Sequence, residues 1–203
     1  MKILAVADLH GDISLAKALA KKAEQEQVDT VILCGDIVAS DESPEGIVGQ
    51  FTKKNKRVIL LPGNHESLAT INFLSELYSA TNLHAYSMYI GGKKEIGIFG
   101  CGFANMGPFG LPDQEIHAIL KKGFNYIKGA KKKIMITHAH PSGTLMEKLS
   151  QFIPGSEGVQ KAVEELQPDI LLCGHVHEAE GIEEKLGNTL IINVSRKGKV
   201  IEI

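Results

Sequence analysis

Two short segments of the sequence pair side chains that can bind metal ions. In ADLHGD, Asp8 and His10 are separated by one residue, and in CGHVH the same spacing separates His175 from His177. Extended residues at positions i and i+2 point the same way, so each pair can face a common centre. Carboxylate and imidazole groups together suit divalent ions such as manganese, iron, zinc and nickel. Each pair therefore predicts part of a metal site.

Three further segments place chemically active side chains directly after an apolar run, where a strand would end. Asp36 follows TVILCG, Asn64 and His65 follow RVILLPG, and His138 follows KIMIT. Because the carboxyl ends of parallel strands share one edge of a sheet, where ligands usually bind, we expect these segments to converge. The converging residues are Asp8, His10, Asp36, Asn64, His65, His138, His175 and His177.

So many ligands exceed the needs of one ion. Two ions that share a carboxylate and lie roughly 3.5–4 Å apart would use them, and such a pair can clamp the attacking and leaving oxygens of a phosphoryl group. Each segment alone has an ordinary explanation: Asp12 could begin a helix, Glu66 could lie in a first helical turn, and His-x-His could be a surface pair. Their joint occurrence at strand ends favours the metal site.

The apolar runs before these residues are continuous rather than alternating, which predicts strands buried on both faces. Helix-forming segments separate the early runs, so the pattern predicts an α/β fold with parallel strands and right-handed crossovers. We expect SRKGK to join the last two strands as an antiparallel hairpin, and the Gly- and Pro-rich residues 100–112 to form a surface loop. The predicted strands are 2–7, 30–34, 57–61, 95–102, 133–137, 169–173, 189–194 and 199–203, and the predicted helices are 14–27, 67–79, 114–128 and 157–167.

Composition narrows the class of protein. A chain of 203 residues fits one domain, residues 1–203. The net charge of -2 argues against extended nucleic acid or a membrane surface as partner. Arg57 and Arg196 are the two arginines, so a forked arginine grip on phosphate is at best scarce. The first apolar run is too short for a signal peptide, and no run approaches the roughly 18 residues of a membrane span, so we expect a cytoplasmic protein. Three cysteines argue against a disulfide framework, and packing explains them better than metal binding or nucleophilic catalysis.

In this order, ADLHGD, GD, GNHE, TH and GHVH resemble the motifs of the calcineurin-like metallophosphoesterases. The resemblance extends from Asp8 to His177. It implies a four-layer α-β-β-α sandwich, in which helices flank two mixed sheets and a two-metal site lies at the carboxyl ends of the strands.

The resemblance also implies a role for each residue. Asp8, His10 and His177 would bind the first ion, Asn64, His138 and His175 the second, and Asp36 would bridge them. His65 matches the family's catalytic histidine, which lies beside the leaving group without ligating a metal. The implied catalytic residues are thus Asp36, Asn64 and His65.

The implied reaction is phosphoester hydrolysis without a covalent enzyme intermediate. A metal-bound hydroxide would attack phosphorus, while His65 assists the departing oxygen as a general acid or by stabilising its charge. Both ions are divalent, with manganese as the first candidate and iron, zinc or nickel as alternatives. The expected substrate is a small phosphoester, with diesters, nucleotide-type diesters included, ahead of monoesters.

Two departures from the resemblance bear on substrate. Where protein serine/threonine phosphatases carry GDxxDRG, this chain has GDIVASD, so Ala39 and Ser40 replace an Asp-Arg pair and argue against a protein phosphatase. Where small relatives have Asn-Pro-Gly-Ser near the end, this chain has NVSR, which leaves the subfamily open.

Residues outside the motifs could contact substrate. The candidates are His140, which follows His138 by two positions, and Phe103 and Asn105 in the Gly-rich loop. A hydrogen-bonded or solvent-facing role is as good an explanation for His140, and a loop that covers the core explains the other two equally well. We expect His84 and His117 to be ordinary surface histidines.

Two other functions compete with the enzyme. A metal-binding scaffold of the same fold could serve as a protein-interaction module, although such a scaffold has no use for His65. A DNA repair nuclease of the superfamily would need a capping domain and a basic stripe, for which this chain has neither the length nor the charge. The oligomeric state is open at this stage.

Overall fold

Helices and strands alternate along most of the chain in the computed structural model. The structure describes residues 1–38, 46–92, 94–150 and 152–203. The elements in chain order are β1 (Lys2–Val6), α1 (Ile13–Gln25), β2 (Thr30–Cys34), α2 (Ile47–Thr52), β3 (Arg57–Leu61), α3 (Leu68–Tyr78), β4 (Thr81–Asn82), β5 (Tyr86–Ile90), β6 (Ile96–Cys101), α4 (Asp113–Tyr126), β7 (Lys132–Thr137), α5 (Leu145–Leu149), α6 (Glu157–Leu166), β8 (Ile170–Cys173), β9 (Glu183–Leu186), β10 (Thr189–Asn193) and β11 (Lys199–Glu202), with a 3₁₀ helix at His177–Ala179. Every strand and helix predicted from the sequence is present, with its ends within two residues.

These strands form two mixed sheets. The first has the order β11-β1-β2-β3-β4 and the second the order β5-β6-β7-β8-β10-β9. Neighbours from β1 to β4, and from β6 through β7 and β8 to β10, pair in parallel, whereas β11, β5 and β9 are antiparallel edge strands. The carboxyl ends of β1, β2 and β3 therefore share one edge of the first sheet, and those of β7 and β8 share one edge of the second.

Three apolar clusters separate four layers. The first cluster, with Leu33 and Phe51, joins α1, α2 and α3 to the first sheet. The second, with Ile32 and Ile134, fills the space between the two sheets. The third, with Leu171, joins α4 and α6 to the outer face of the second sheet. Because strands of both sheets are covered on both faces, their sequences are apolar at successive positions. The expected four-layer sandwich is confirmed.

The predicted hairpin between the last two strands is wrong. β10 lies in the second sheet beside β8, whereas β11 lies in the first, where Glu202 pairs with Lys2. Between them the chain crosses from one sheet to the other. The Val194 N–H donates to the carbonyl of Cys173 at 2.8 Å, and the Val194 carbonyl accepts from the Ala7 N–H at 3.1 Å. This crossing ties the end of β8 to the end of β1.

The sequence pattern missed the shorter elements. β5 and β9 are partly exposed edge strands, and β9 has the sequence EEKL, so neither has a continuous apolar run. β4, α2 and α5 are two, six and five residues long, too short for a periodic signal. Among the described residues, no helix combines the length and apolar character that crossing a membrane requires.

Packing between the sheets predicts a large stability effect at Ile32, which is 0 % exposed. We expect Ile32→Ala to lower the free energy of unfolding by about 2–5 kcal/mol, because it removes buried methylene contacts and leaves a cavity. Leu77→Ala, at a side chain that is 49 % exposed, should change it by less than about 0.5 kcal/mol. Urea unfolding of both variants checks this, and equal effects would contradict the packing described here.

Candidate metal centre

The strand ends bring the predicted residues together across the boundary between the two sheets. Asp8 and His10 follow β1, Asp36 follows β2, and Asn64 and His65 follow β3, all in the first sheet. The second sheet contributes His138 after β7, and His175 and His177 after β8. They surround a cleft of about 360 Å³, lined by His10, Asp36, Asn64, His65, Met106, Gly107, Ile153, His175, His177 and Glu178.

One group of possible ligand atoms comes from Asp8, His10 and His177, within 4.8 Å of one another. The two Nε2 atoms of the histidines lie 3.3 Å apart, close to the edge of about 3.4 Å between two nitrogens of a tetrahedral metal site with bonds near 2.1 Å. Burial would raise the pKa of the Asp8 carboxyl, but the nearby His177 ring, the charge of His138 and the Ser195 hydroxyl lower it below its usual value. These three side chains fit a divalent cation.

A second group comes from Asp36, His138 and His175, all buried. The Asn64 amide adds an oxygen, with its Oδ1 3.0 Å from His138 Nε2. Asp36 lies between the two groups, because its Oδ2 is 3.3 Å from His138 Nε2 and 3.6 Å from His10 Nε2. Carboxylate, imidazole and amide oxygen are ligands for the divalent ions predicted from the sequence.

His138 lies buried among hydrogen-bond acceptors. Its Nδ1 lies 2.9 Å from the Cys34 carbonyl oxygen, and its Nε2 faces the oxygens of Asn64 and Asp36. Both ring nitrogens therefore face acceptors, which favours the doubly protonated imidazolium. Burial alone would lower the pKa of His138, but Asp36, Asp8 and the Cys34 carbonyl raise it to about 10.

His65 lies at the open side of the centre. Its backbone N–H donates to Asp36 Oδ1 at 3.1 Å, and its ring packs edge-on against His10 with centroids 5.2 Å apart. The His65 side chain is 34 % exposed, and its Nε2 is 3.9 Å from Asp36 Oδ2. His10, Asp36 and His65 also form a third group of possible ligand atoms. The ring is thus placed to reach both the cleft and the shared carboxylate.

The backbone explains the convergence differently from the sequence argument. Asp8, His10, Asp36 and His175 have positive φ, between 42° and 72°, so these residues are not extended. Positive φ is uncommon for residues other than glycine and clusters at functional sites. The segments curl out of their strands, so His175 joins the Asp36 group while His177 joins the Asp8 group. The spacing of two therefore serves two different groups in the GHVH segment.

Glu66 has a structural role that its position in the GNHE motif does not indicate. It is 1 % exposed, and its carboxylate accepts hydrogen bonds from the backbone N–H groups of Asp36, Val38 and Gly63 at 2.7–3.1 Å. Burial and neighbouring Asp36 raise its pKa to about 7. At Gly63 a Cβ atom would collide with Asp36, so glycine is needed for the close approach of the two loops.

Two residues near the end of the chain also support the centre. The Ser195 hydroxyl donates to Asp8 Oδ2 at 2.5 Å, and the Asn193 side chain donates to the carbonyl of Val176 at 2.9 Å. Asn193 Oδ1 in turn accepts the backbone N–H of Ser195. The NVSR segment therefore fixes the Asp8 and GHVH loops relative to each other, a role that spacing alone does not reveal.

The three candidate substrate contacts, His140, Phe103 and Asn105, are not among the described residues that line the cleft. His140 is 0 % exposed and does not line the cleft. Phe103 packs edge-on against His84, and the Asn105 amide donates to the carbonyl of Gly155. The Gly-rich loop does reach the cleft, but through Met106 and Gly107. Contacts with residues outside the loop, His84 and Gly155, hold Phe103 and Asn105 in these positions.

His84 and His117 lie outside the metal-binding motifs, and the structure shows a different setting for each. His84 is partly buried and its Nδ1 accepts the Gly102 N–H, so it anchors the loop and is not an ordinary surface residue. His117, 15 % exposed at its side chain, pairs with Glu165 at 2.8 Å, outside the cleft. Ala39 and Ser40, which replace the Asp-Arg pair, lie outside the described residues.

Comparison with protein-family models assigns the chain to a family. The model of the calcineurin-like phosphoesterases matches residues 1–179, which contain every residue of the two ligand groups. The chain belongs to the calcineurin-like phosphoesterase family. It is a metallophosphoesterase, a hydrolase of phosphoric ester bonds, and the resemblance read from the motifs is confirmed. A search of curated proteins found no match.

Solved structures share the fold of this phosphoesterase. The protein TT1561 of Thermus thermophilus is 16 % identical, with a TM-score of 0.76 over 98 % of this chain and 97 % of that one. A dimetal phosphatase from Danio rerio is 12 % identical, with a TM-score of 0.61 over 95 % and 86 % of the two chains. A novel archaeal phosphodiesterase is 18 % identical, with a TM-score of 0.55 over 95 % and 82 %. At these identities the comparison shows the fold.

The three hydrogen bonds to Glu66 predict that its acceptor oxygens stabilise the loops around Asp36. In metal-stripped protein at pH 8, we expect Glu66→Gln to lower the free energy of unfolding by about 1–3 kcal/mol, because an amide NH₂ would face backbone donors. Glu76→Gln, at an exposed helical position, should have an effect below about 0.5 kcal/mol. Guanidinium unfolding measures both. Equal stability of wild type and Glu66→Gln would show that the carboxylate is dispensable.

The surroundings of His138 predict proton release when metal binds. The pKa of His138 is raised to about 10, so the metal-free phosphoesterase holds a proton on this ring that a metal ligand must lose. Asp8 raises the pKa of His177 as well. Manganese binding at pH 7 should release at least about one proton per chain and strengthen as pH rises. Calorimetric titration in two buffers of different ionisation enthalpy measures this, and identical apparent enthalpies would contradict it.

Proposed function

We propose that the protein is a two-metal phosphodiesterase for small substrates, with phosphomonoesters hydrolysed more slowly. The observation that carries the proposal is the position of Asp36, whose Oδ2 lies within 3.6 Å of imidazole nitrogens from both ligand groups. In the proposed assignment Asp8, His10 and His177 hold one ion, Asn64, His138 and His175 hold the other, and Asp36 is shared. Manganese is the first candidate, followed by iron, zinc and nickel.

When bound, the ions supply Lewis-acid chemistry: they acidify a water and polarise phosphoryl oxygens. The protein's own residues fix the geometry. Asn64 and Asp36 both line the cleft and offer two kinds of oxygen, a neutral amide oxygen and a carboxylate oxygen. The buried carboxylates of Asp8 and Asp36 also balance the positive charge that two ions bring into a poorly solvated site.

His65 is the proposed acid for the departing oxygen. Its ring lines the cleft, and its backbone N–H bond to Asp36 keeps it beside the shared carboxylate. Reaching the leaving-group oxygen requires a partly exposed ring at the mouth of the site, which the 34 % exposure provides. An imidazole donates a proton efficiently near neutral pH, or stabilises the charge that develops on the oxygen.

The charge of the cleft supports a diester over a monoester. None of the described residues that line it is lysine or arginine, and Glu178 adds a carboxylate at its edge. A diester carries one negative charge, whereas a monoester carries about two near neutral pH, so the cleft offers the monoester no compensating side chain. Met106 and Ile153 give the walls apolar area, which suits an aromatic or nucleoside group on the second ester oxygen.

Two broader expectations accompany the proposal. We take residues 1–203 as one phosphoesterase domain, supported by a structural match that covers 98 % of the chain. We place the protein in the cytoplasm, where thiols stay reduced, supported by the free and buried state of Cys34, Cys101 and Cys173. The competing scaffold function is disfavoured by His65, which lines the cleft where an acid for the leaving group is needed.

Hydrolysis of an activated aryl phosphodiester and of the matching monoester tests the function. With metal-stripped protein reloaded with manganese, we expect turnover of both and a higher kcat/KM for the diester. His65→Ala should lower kcat for the diester by about 10²–10⁴-fold, because the departing oxygen loses its proton donor. His117→Ala, outside the cleft, serves as the matched control and should leave kcat unchanged.

The outcomes separate the two functions. Two manganese ions bound per chain with no turnover of either ester would refute the enzyme and favour the scaffold. Turnover of the monoester alone would refute the diester preference while keeping the hydrolase. Equal rates for wild type and His65→Ala would remove His65 from the reaction.

A further inference from the structure

The ring of His140 has no evident structural reason to be buried. The residue is 0 % exposed, yet neither ring nitrogen has a hydrogen-bond partner among protein atoms. A neutral imidazole carries one donor and one acceptor, and each unsatisfied buried polar atom costs free energy. The loop around it is held by other bonds, such as the Ser156 N–H to the His140 carbonyl at 2.8 Å. The loop backbone thus does not depend on the ring.

The other unpartnered atoms lie in the same neighbourhood. Among the described residues, buried side-chain polar atoms without a partner occur in Asn105, His140 and His175. The Asn105 amide donates to Gly155, which precedes the Ser156 that bonds His140, and the rings of His140 and His175 are 6.4 Å apart. Clustered orphan atoms of both characters mark a small polar pocket, because interior polar groups in proteins are paired with protein or with ordered water.

The two ring nitrogens of His175 face different surroundings. Nε2 is the buried atom without a partner, so Nδ1 is the nitrogen left for the cleft, which the ring lines. Metal-ligating histidines generally donate the other ring N–H to a carboxylate, a carbonyl or a water, and this bond fixes the tautomer and the ring orientation. No protein atom supplies such an acceptor to His175 Nε2. The nearby imidazole of His140, tilted 34° to it, can do so through one water.

We propose that His140 is a positioning residue: through one buried water it accepts the Nε2–H of His175 and thereby holds Nδ1 toward the ion of the Asp36–His138–His175 group. The inference rests on the proposed two-metal function. The proton stays on His175 Nε2, the water donates to a ring nitrogen of His140, and the lone pair of His175 Nδ1 is free for the ion.

Manganese binding to three variants tests this role. Wild type should bind two ions per chain. His140→Leu, which removes the acceptor but keeps the bulk, should weaken one ion by about 10–100-fold and leave the other, held by Asp8, His10 and His177, within about 3-fold. His140→Gln, which can still accept a hydrogen bond, should restore most of the loss. His117→Leu is the matched control, and calorimetric titration with paramagnetic counting of free manganese gives both affinities.

A second measurement does not depend on any variant folding. In wild-type protein labelled with ¹⁵N and loaded with zinc, long-range ¹H–¹⁵N correlation spectra should show His175 as the Nε2–H tautomer with a slowly exchanging proton. A proton on Nδ1 would overturn the proposal.

The measurements distinguish failure of the two-metal function from failure of the role of His140. If wild type binds fewer than two ions, the two-metal function is overturned and this inference with it. If wild type binds two ions and His140→Leu keeps both affinities, only the role of His140 is overturned. Equal weakening of both ions in His140→Leu would also overturn it, because a general loss of structure, and not the His175 ring, would then explain the change.

Discussion

Two buried carboxylates, Asp8 and Asp36, impose the condition that the rest of the molecule meets. They are 0 % and 2 % exposed, and an ionised group away from water persists only with hydrogen bonds and opposite charge around it. The first sheet carries both carboxylates, and the imidazoles of His138, His175 and His177 come from the second. Part of the compensation is therefore supplied across the boundary between the sheets, with His138 first among its sources for Asp36.

The loops achieve this through backbone shapes that are costly in isolation. A residue other than glycine in the left-handed region is less stable by on the order of 1–3 kcal/mol, and surrounding contacts must hold it there. The N–H groups of Asp8 and His10 donate to the carbonyls of Gly35 and Asp36 at 3.1 and 2.9 Å, and Glu66 gathers three more N–H groups. The ligand side chains are thus fixed before any ion arrives, which reduces the ordering needed on binding.

Much of the fold followed from local sequence. Continuous apolar runs located eight strands, and the glycine and histidine segments after them indicated which loops meet. The predictions that failed concern contacts between residues that are distant in sequence. The pairing of β11 depends on which sheet has a free edge, not on the turn before it. The burial of His140 depends on the path of the loop after β7, and neither spacing nor residue type encodes it. Glu66 and Ser195 resembled ordinary loop residues because their partners are distant in sequence.

The division of the ligands between two sheets affects when the metal site forms during folding. The backbone of His175 bonds to Asp8 across 167 positions of the chain, and Ser195 reaches the same carboxylate across 187. Such distant contacts form late in folding, because a long segment must first be closed into a loop. A chain in which each sheet has formed but the two have not docked has Asp8, His10 and Asp36 on one side and His138, His175 and His177 on the other, and neither ligand group is complete. Only the fully folded chain is consequently able to hydrolyse substrate, and partly folded forms are inactive.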